Sequence, residues 1–300
     1  MDPPNVLWFG GAITIAVGVS ALLSTIPESH NGLWLFLASL GFLLAFAFAS
    51  LWLLRLGWWV PGGLAAWLAV TTFAGVAIGF LQLIDVWPED QSLDPFGNFS
   101  GYVFGVALAT ALFGIAAFIY TRFSFILSIV VLSLLLAAQF LVTGFENPGG
   151  DDSATAALVA GALVVIVGVF LDAFGRRRDA FWFHALGWFS VAAGLVFFAV
   201  EPGGDTERGW IPMLVVGLLM TIASGPMRRA TWTVYGVVGY YAAIVHYLND
   251  SLDSDGWPFA LLLIAVGLGI FLQGMLLHRY GKAWGDRFIR RPPVLNDPPA

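Results

Sequence analysis

The sequence predicts an all-α protein: a polytopic bundle of about ten transmembrane helices with cytoplasmic N- and C-termini. Of the 300 residues, 59% are hydrophobic and only 11% are charged, whereas a soluble domain has about 25% charged residues. The charges stand in short clusters, separated by apolar runs of about 20 residues, the length that crosses a bilayer. Lys and Arg also gather on one side of the resulting topology. We therefore expect one transmembrane domain over residues 1–278 and a short basic, proline-rich cytoplasmic tail over 279–300.

Ten apolar segments have the length and composition of spans. In chain order they cover 6–25, 33–54, 63–86, 101–120, 123–144, 155–174, 181–200, 210–224, 231–248 and 258–277. Only Thr121 and Arg122 separate spans 4 and 5, but one helix of about 40 apolar residues would be too long for a single crossing. Span 8 is the shortest, with Pro212 and Pro226 close to its ends. A re-entrant segment is its alternative interpretation.

The charges of the loops predict the orientation. With the N-terminus in the cytoplasm, all 13 basic residues except Arg208 fall in inner loops or in the tail, as the positive-inside rule requires. A re-entrant span 8 would move the tail outside, so ten spans are retained. The predicted location is the cytoplasmic membrane of a prokaryote. The basic residues that set topology are also candidates for contact with anionic lipid headgroups: Arg176, Arg177, Arg178, Arg228 and Arg229.

Polar residues at the outer ends of spans 3 and 9 form the first candidate site. Ionisable groups are costly inside hydrocarbon, so each is a functional candidate. Because both span ends face outward, five side chains are expected to share the outer leaflet: Gln82, Asp85, Tyr240, Tyr241 and His246. A carboxylate beside an imidazole can relay protons or bind a cation. The alternative is that each group touches water at the headgroup level.

A second candidate lies on the inner side. Asp172 ends span 6 and His184 begins span 7, on either side of the arginine-rich loop. Asp172 and Arg176 are four residues apart, which predicts an ion pair. No span has an acid or a base at its midpoint, and this weakens the prediction of an ion-coupled carrier.

Glycines and missing motifs narrow the functional classes. Paired glycines in spans 3 and 9 indicate close helix contacts, within the chain or at a dimer face.

The chain has no cysteine and no catalytic or phosphate-binding motif. The loop 249–256 resembles a calcium loop but lacks its bidentate glutamate. We therefore predict no catalytic residue, metal, cofactor or nucleic-acid partner.

One part of the chain carries a resemblance. The run YGVVGYYAAIVHYLNDSL with the later PFALLLIAVGLGIF, and the segment DAFWFHALGWFSVAAGL after the arginine loop, resemble uncharacterised multi-span bacterial membrane proteins, often classed as domains of unknown function. The similarity covers about residues 176–274. It implies the same multi-span architecture and no activity, ligand or site residue.

Three functional classes remain. Almost no mass lies outside the membrane, which favours a small-molecule permease or channel. The alternative is a non-transporting scaffold, assembly subunit or sensor, with the bilayer and a membrane protein or a second copy as partners. An intramembrane enzyme is the least favoured class, because no catalytic constellation is present.

Overall fold

A computed structural model describes residues 3–26, 32–86, 101–143, 150–200, 207–227, 229–251, 261, 264–276 and 279. Within these residues the regular structure is helical throughout. The ten helices are α1 (Pro3–Ser24), α2 (Leu33–Arg55), α3 (Trp59–Leu83), α4 (Gly101–Thr121), α5 (Ile126–Thr143), α6 (Gly150–Ala173), α7 (Arg177–Val200), α8 (Glu207–Met227), α9 (Ala230–Ser251) and α10 (Ile264–Leu276).

Each predicted span coincides with one of these helices, and the all-helical class is confirmed. Seven helices (α1 to α4 and α6 to α8) are long and apolar enough to cross a membrane, so the chain is consistent with a multi-pass membrane protein. The apolar part of α5, Ile126–Val142, is shorter, and α9 contains tyrosines and a histidine that lower its hydropathy. Ten crossings, cytoplasmic termini and the single domain to residue 278 stay predictions.

Helix α8 corrects the sequence-based bounds of span 8. The predicted segment 210–224 was too short by three residues at each end, because α8 has 21 residues and continues past both prolines. A proline inside a helix removes the hydrogen bond that the missing N–H would donate to the carbonyl four residues earlier. Pro212 lies in the second turn and Pro226 lies one residue before the helix ends. Each proline therefore removes one backbone hydrogen bond close to a terminus, and the helix keeps enough length to cross.

The break between α4 and α5 agrees with the sequence prediction. Arg122 adopts a left-handed conformation with φ of 55°, which ends α4. Its N–H donates to the carbonyl of Phe118 at 2.7 Å, and the N–H of Phe123 donates to Oγ1 of Thr121 at 3.3 Å. The chain therefore reverses within a few residues, and the two apolar segments form separate helices.

The chain divides into two compact units, Met1–Ser190 and Val191–Ala300. In the first unit α2 and α3 pack closely because α3 has glycines at the contact. A Cβ atom at Gly79 would lie 2.5 Å from the backbone N of Phe36, and one at Gly75 would lie 2.7 Å from Oγ of Ser39. The helix contact expected at this glycine pair is confirmed.

In the second unit α8 and α9 pack in the same way. A Cβ atom at Gly217 would lie 2.6 Å from the backbone N of Tyr240 and 2.7 Å from the carbonyl oxygen of Gly236. The contact includes the fully buried side chain of Thr221. Gly239 faces Met213 at ordinary contact distance, so the contact expected at the glycine pair of span 9 is also confirmed.

Candidate functional site

The hairpin of α6 and α7 holds the most deeply buried ionisable group among the described residues. Its helices approach closely at small side chains. Oγ of Ser190 donates to the carbonyl oxygen of Ala157 at 2.8 Å. A Cβ atom at Gly187 would lie 2.8 Å from Cγ2 of Val165 and 3.0 Å from the carbonyl oxygen of Gly161. This tight antiparallel contact places the first half of α7 against the second half of α6.

His184 and Asp172 meet across this contact. Nε2 of His184 lies 2.9 Å from Oδ2 of Asp172, and their side chains are 0% and 13% exposed. Gly168 leaves the space for the imidazole: a Cβ atom there would lie 3.1 Å from Cε1 and 3.2 Å from Nδ1 of His184. The sequence placed both residues in the inner-side candidate, and the structure brings them into hydrogen-bond distance.

The chemistry of this pair depends on the protonation of the ring. A neutral imidazole donates its Nε2–H to the carboxylate and leaves the pair with one negative charge. An added proton converts the pair into an imidazolium and a carboxylate with no net charge. A buried net charge is costly in a low-dielectric environment, whereas a paired one is compensated. The arrangement therefore suits the binding of a proton or another small cation.

The arginines that follow α6 lie at the exposed turn. Arg176, Arg177 and Arg178 are exposed. Asp172 contacts His184, and the expected ion pair from Asp172 to Arg176 stays a prediction. Arg229 is half-buried at the start of α9, and Arg228 lies outside the described residues. Contact of these arginines with lipid headgroups also stays a prediction.

Sequence reasoning missed a second polar contact on α7. Oγ of Ser124, in the turn between α4 and α5, donates to Oδ1 of Asp179 at 2.5 Å. Asp179 stands in the first turn of α7, where a carboxylate is favourable. A carboxylate at the start of a helix is visible in the sequence, and it could have marked Asp179 as a candidate. No sequence feature indicated that Ser124, 55 residues away, would be its partner.

Two members of the outer-leaflet candidate lie at the end of α3. Asp85 is exposed and left-handed, with φ of 56°. Its N–H donates to the carbonyl of Gln82, and the N–H of Val86 donates to that of Leu81, each at 3.1 Å. These bonds form the capping motif that ends many helices. Gln82 is half-buried against Gly32. Asp85 thus has a structural role as a helix cap.

The other three members lie on α9, in the second unit. Tyr240 is buried, and its hydroxyl donates to Oε1 of Gln273 at 2.8 Å. The His246 ring stacks on Trp210, with centroids 4.2 Å apart and planes within 10°. Tyr241 is 38% exposed. The outer-leaflet cluster is therefore divided between the two units, and the proximity of Asp85 and His246 stays a prediction.

Within the described part of the chain, no three His, Asp or Glu side chains come together as a metal site. No protein family, no curated protein and no solved structure matches the chain. The polar contacts of the α6–α7 hairpin are thus the strongest indication of function in the described part of the chain.

Proposed function

We propose that this multi-pass membrane protein is a permease or channel for a small solute, and that the Asp172–His184 pair binds a proton or another small cation as it works. The buried pair is the observation that supports this proposal. His184 is seven residues beyond the start of α7 at Arg177, which corresponds to about 10 Å along the helix. An ionisable group at that depth is costly, and in membrane proteins such groups commonly lie on ion pathways or proton relays.

The net charge of the pair supplies a reason for cation binding. With a neutral ring the Asp172–His184 pair carries the single negative charge of the carboxylate, and a bound proton or small cation would neutralise that charge. When the cation leaves, the charge returns and weakens the packing of α6 against α7. A solute pathway near this hairpin would then alternate between two arrangements of the same helices.

The alternative is a non-transporting membrane component, such as a scaffold, an assembly subunit or a sensor. The close backbone contacts at Gly79 and Gly217 favour it, because tightly packed hairpins leave little room for water. In this function the buried pair only fixes the register of α6 and α7, and the working surface faces a membrane protein or a second copy.

Cysteine labelling separates the two functions, because the chain has no native cysteine. Ala180, one turn before His184, and Ala160, deeper in α6, are both buried. We would introduce Ala180→Cys and Ala160→Cys separately and treat right-side-out and inside-out vesicles with a membrane-impermeant maleimide. Phe170→Cys, at a 60% exposed position within α6, is the control for a lipid-facing site, and Asp152→Cys is the control for an aqueous one.

A permease predicts slow reaction at both buried positions, with Ala180→Cys reached from the inner side and Ala160→Cys from the outer side. Phe170→Cys should stay unreactive because the reagent needs water. If neither buried cysteine reacts from either side while Asp152→Cys reacts fully, the bundle is dry and the non-transporting function is favoured instead.

A further inference from the structure

The turn between α4 and α5 inserts aromatic side chains into the first unit. The Phe125 ring has its centroid 5.0 Å from the rings of Phe9, Trp67 and Trp182. These residues belong to α1, α3 and α7. A single side chain of the turn therefore fills the space where three helices meet, close to their predicted cytoplasmic ends.

Phe123 extends this aromatic contact toward α3. Its ring occupies the position that a Cβ atom at Gly63 would need, and its centroid lies 6.3 Å from that of Phe9. The first residues of α5 are tied to α3 as well, because Nε1 of Trp67 donates to Oγ of Ser128 at 3.2 Å. The turn is thus fitted closely into the bundle end.

One hydrogen bond joins the turn to α7. Ser124 lies between the two inserted phenylalanines, and its hydroxyl donates to the Asp179 carboxylate. Bonds to an ionised acceptor are stronger than neutral ones. Asp179 precedes His184 by five residues on the same helix, about 7.5 Å along the axis. A small movement of α7 at the His184–Asp172 pair would therefore change the length of the Ser124–Asp179 hydrogen bond.

We propose that residues 122–125 are the cytoplasmic gate of the first unit, closed in this structure by Phe125 and latched by the Ser124–Asp179 hydrogen bond. The inference rests on the proposed permease function. In the closed state the turn covers the core of α3 and α5, where Val70 and Ile126 are fully buried. Opening breaks the Ser124–Asp179 bond, withdraws the two phenylalanines and admits water to this core from the cytoplasmic side.

The test uses Val70→Cys as the reporter, since Val70 is 0% exposed. Its reaction with an impermeant maleimide would be timed in inside-out and right-side-out vesicles. Ser124→Ala removes the hydroxyl of the Ser124–Asp179 bond without adding volume, and Ser124→Thr keeps a hydroxyl at this position. Phe125→Ala removes the ring that closes the gate. Phe48→Ala is the matched control, because Phe48 is 72% exposed in α2 and lies outside the turn.

The gate predicts that Ser124→Ala raises the labelling rate about tenfold, the factor expected when a hydrogen bond to a charged group is lost. Phe125→Ala should raise the labelling rate at least as much, and only in inside-out vesicles. Ser124→Thr and Phe48→Ala should leave the labelling rate unchanged. Unchanged rates in folded Ser124→Ala protein would overturn the gate, as would an equal rise from both sides. If the Phe125→Ala protein does not fold, the labelling rate of the Ser124→Ala protein alone tests the gate.

The gate and the permease can fail separately. Reaction at Ala160→Cys from the outer side does not depend on the turn. If Ala160→Cys reacts while Ser124→Ala has no effect, the gate is wrong and the permease stands. If the buried alanine positions are also unreactive, both proposals are wrong.

Discussion

Nε2 of His184 and Oδ2 of Asp172 lie 2.9 Å apart and join α7 to the last turn of α6. Both groups lie next to the exposed turn of three arginines, yet the imidazole itself is fully buried. The pair is set by the register of the hairpin, which Ser190 and Gly187 fix deeper in the bundle. It is therefore sensitive both to its own protonation and to the packing of the two helices.

The first prediction concerns the energetic coupling of the pair. Removing either partner leaves the other buried without its hydrogen bond, so Asp172→Asn and His184→Gln should each lower the unfolding free energy by about 1–3 kcal/mol. The double variant should lose less than the sum of the single losses. Unfolding in mixed micelles gives the three values, and Asp152→Asn, at an exposed site, serves as the control. Additive losses would mean that the two side chains do not interact in the folded protein.

The second prediction concerns the space for the imidazole. Gly168→Ala would place a methyl group 3.1 Å from Cε1 of His184, so the ring must shift and its bond to Asp172 lengthens. We expect a loss of about 1 kcal/mol. Gly105→Ala is the matched control: in the described structure nothing lies within 4 Å of its added Cβ, and alanine favours a helix by about 1 kcal/mol. Thermal unfolding in detergent compares the two, and equal stabilisation would contradict the assigned contact.

A third prediction separates capping from function at Asp85. If its main role is the left-handed end of α3, Asp85→Gly should keep or raise the unfolding free energy, and Asp85→Ala should lower it by about 1 kcal/mol. Solute transport, once a substrate is found, should survive both changes. Loss of transport in stable Asp85→Gly protein would instead support the outer-leaflet site predicted from the sequence.

The fourth prediction addresses the contact of α9 with α10. Tyr240→Phe removes the hydroxyl that donates to Gln273, and such bonds between membrane helices contribute about 0.6 kcal/mol on average. Tyr241→Phe, at the more exposed neighbouring position, should have little effect. Mixed-micelle unfolding measures both. Equal effects of the two substitutions would show that the Tyr240 hydroxyl makes no special contribution.

Much of the fold could be predicted because its signals are local. Runs of apolar residues located every helix, and the length limit on one crossing correctly required the break that Arg122 makes. Span 8 was underestimated because its prolines were interpreted as ends, although α8 continues through both.

The site was less predictable, since it depends on how helices rotate and pair. Asp172 and His184 were recognised as candidates because they are ionisable near span ends. Their direct contact follows from the packing at Gly168 and Gly187, which hydropathy does not encode. The bond from Ser124 to Asp179 and the stacking of Trp210 on His246 likewise join distant segments, and no local sequence pattern predicts either contact.

Measuring the protonation state of His184 in a bilayer would show whether the Asp172–His184 pair binds a proton. The chain has only four histidines, so selective ¹⁵N labelling gives a simple spectrum, and His184→Gln identifies the signal. The proposed function predicts that both the neutral and the protonated ring of His184 are populated as the bulk pH is varied. Asp172→Asn removes the carboxylate that stabilises the imidazolium, so a smaller fraction of the His184 ring should be protonated at each pH. A ring that keeps one protonation state throughout, in both proteins, would contradict a proton-binding pair and leave His184 a packing residue.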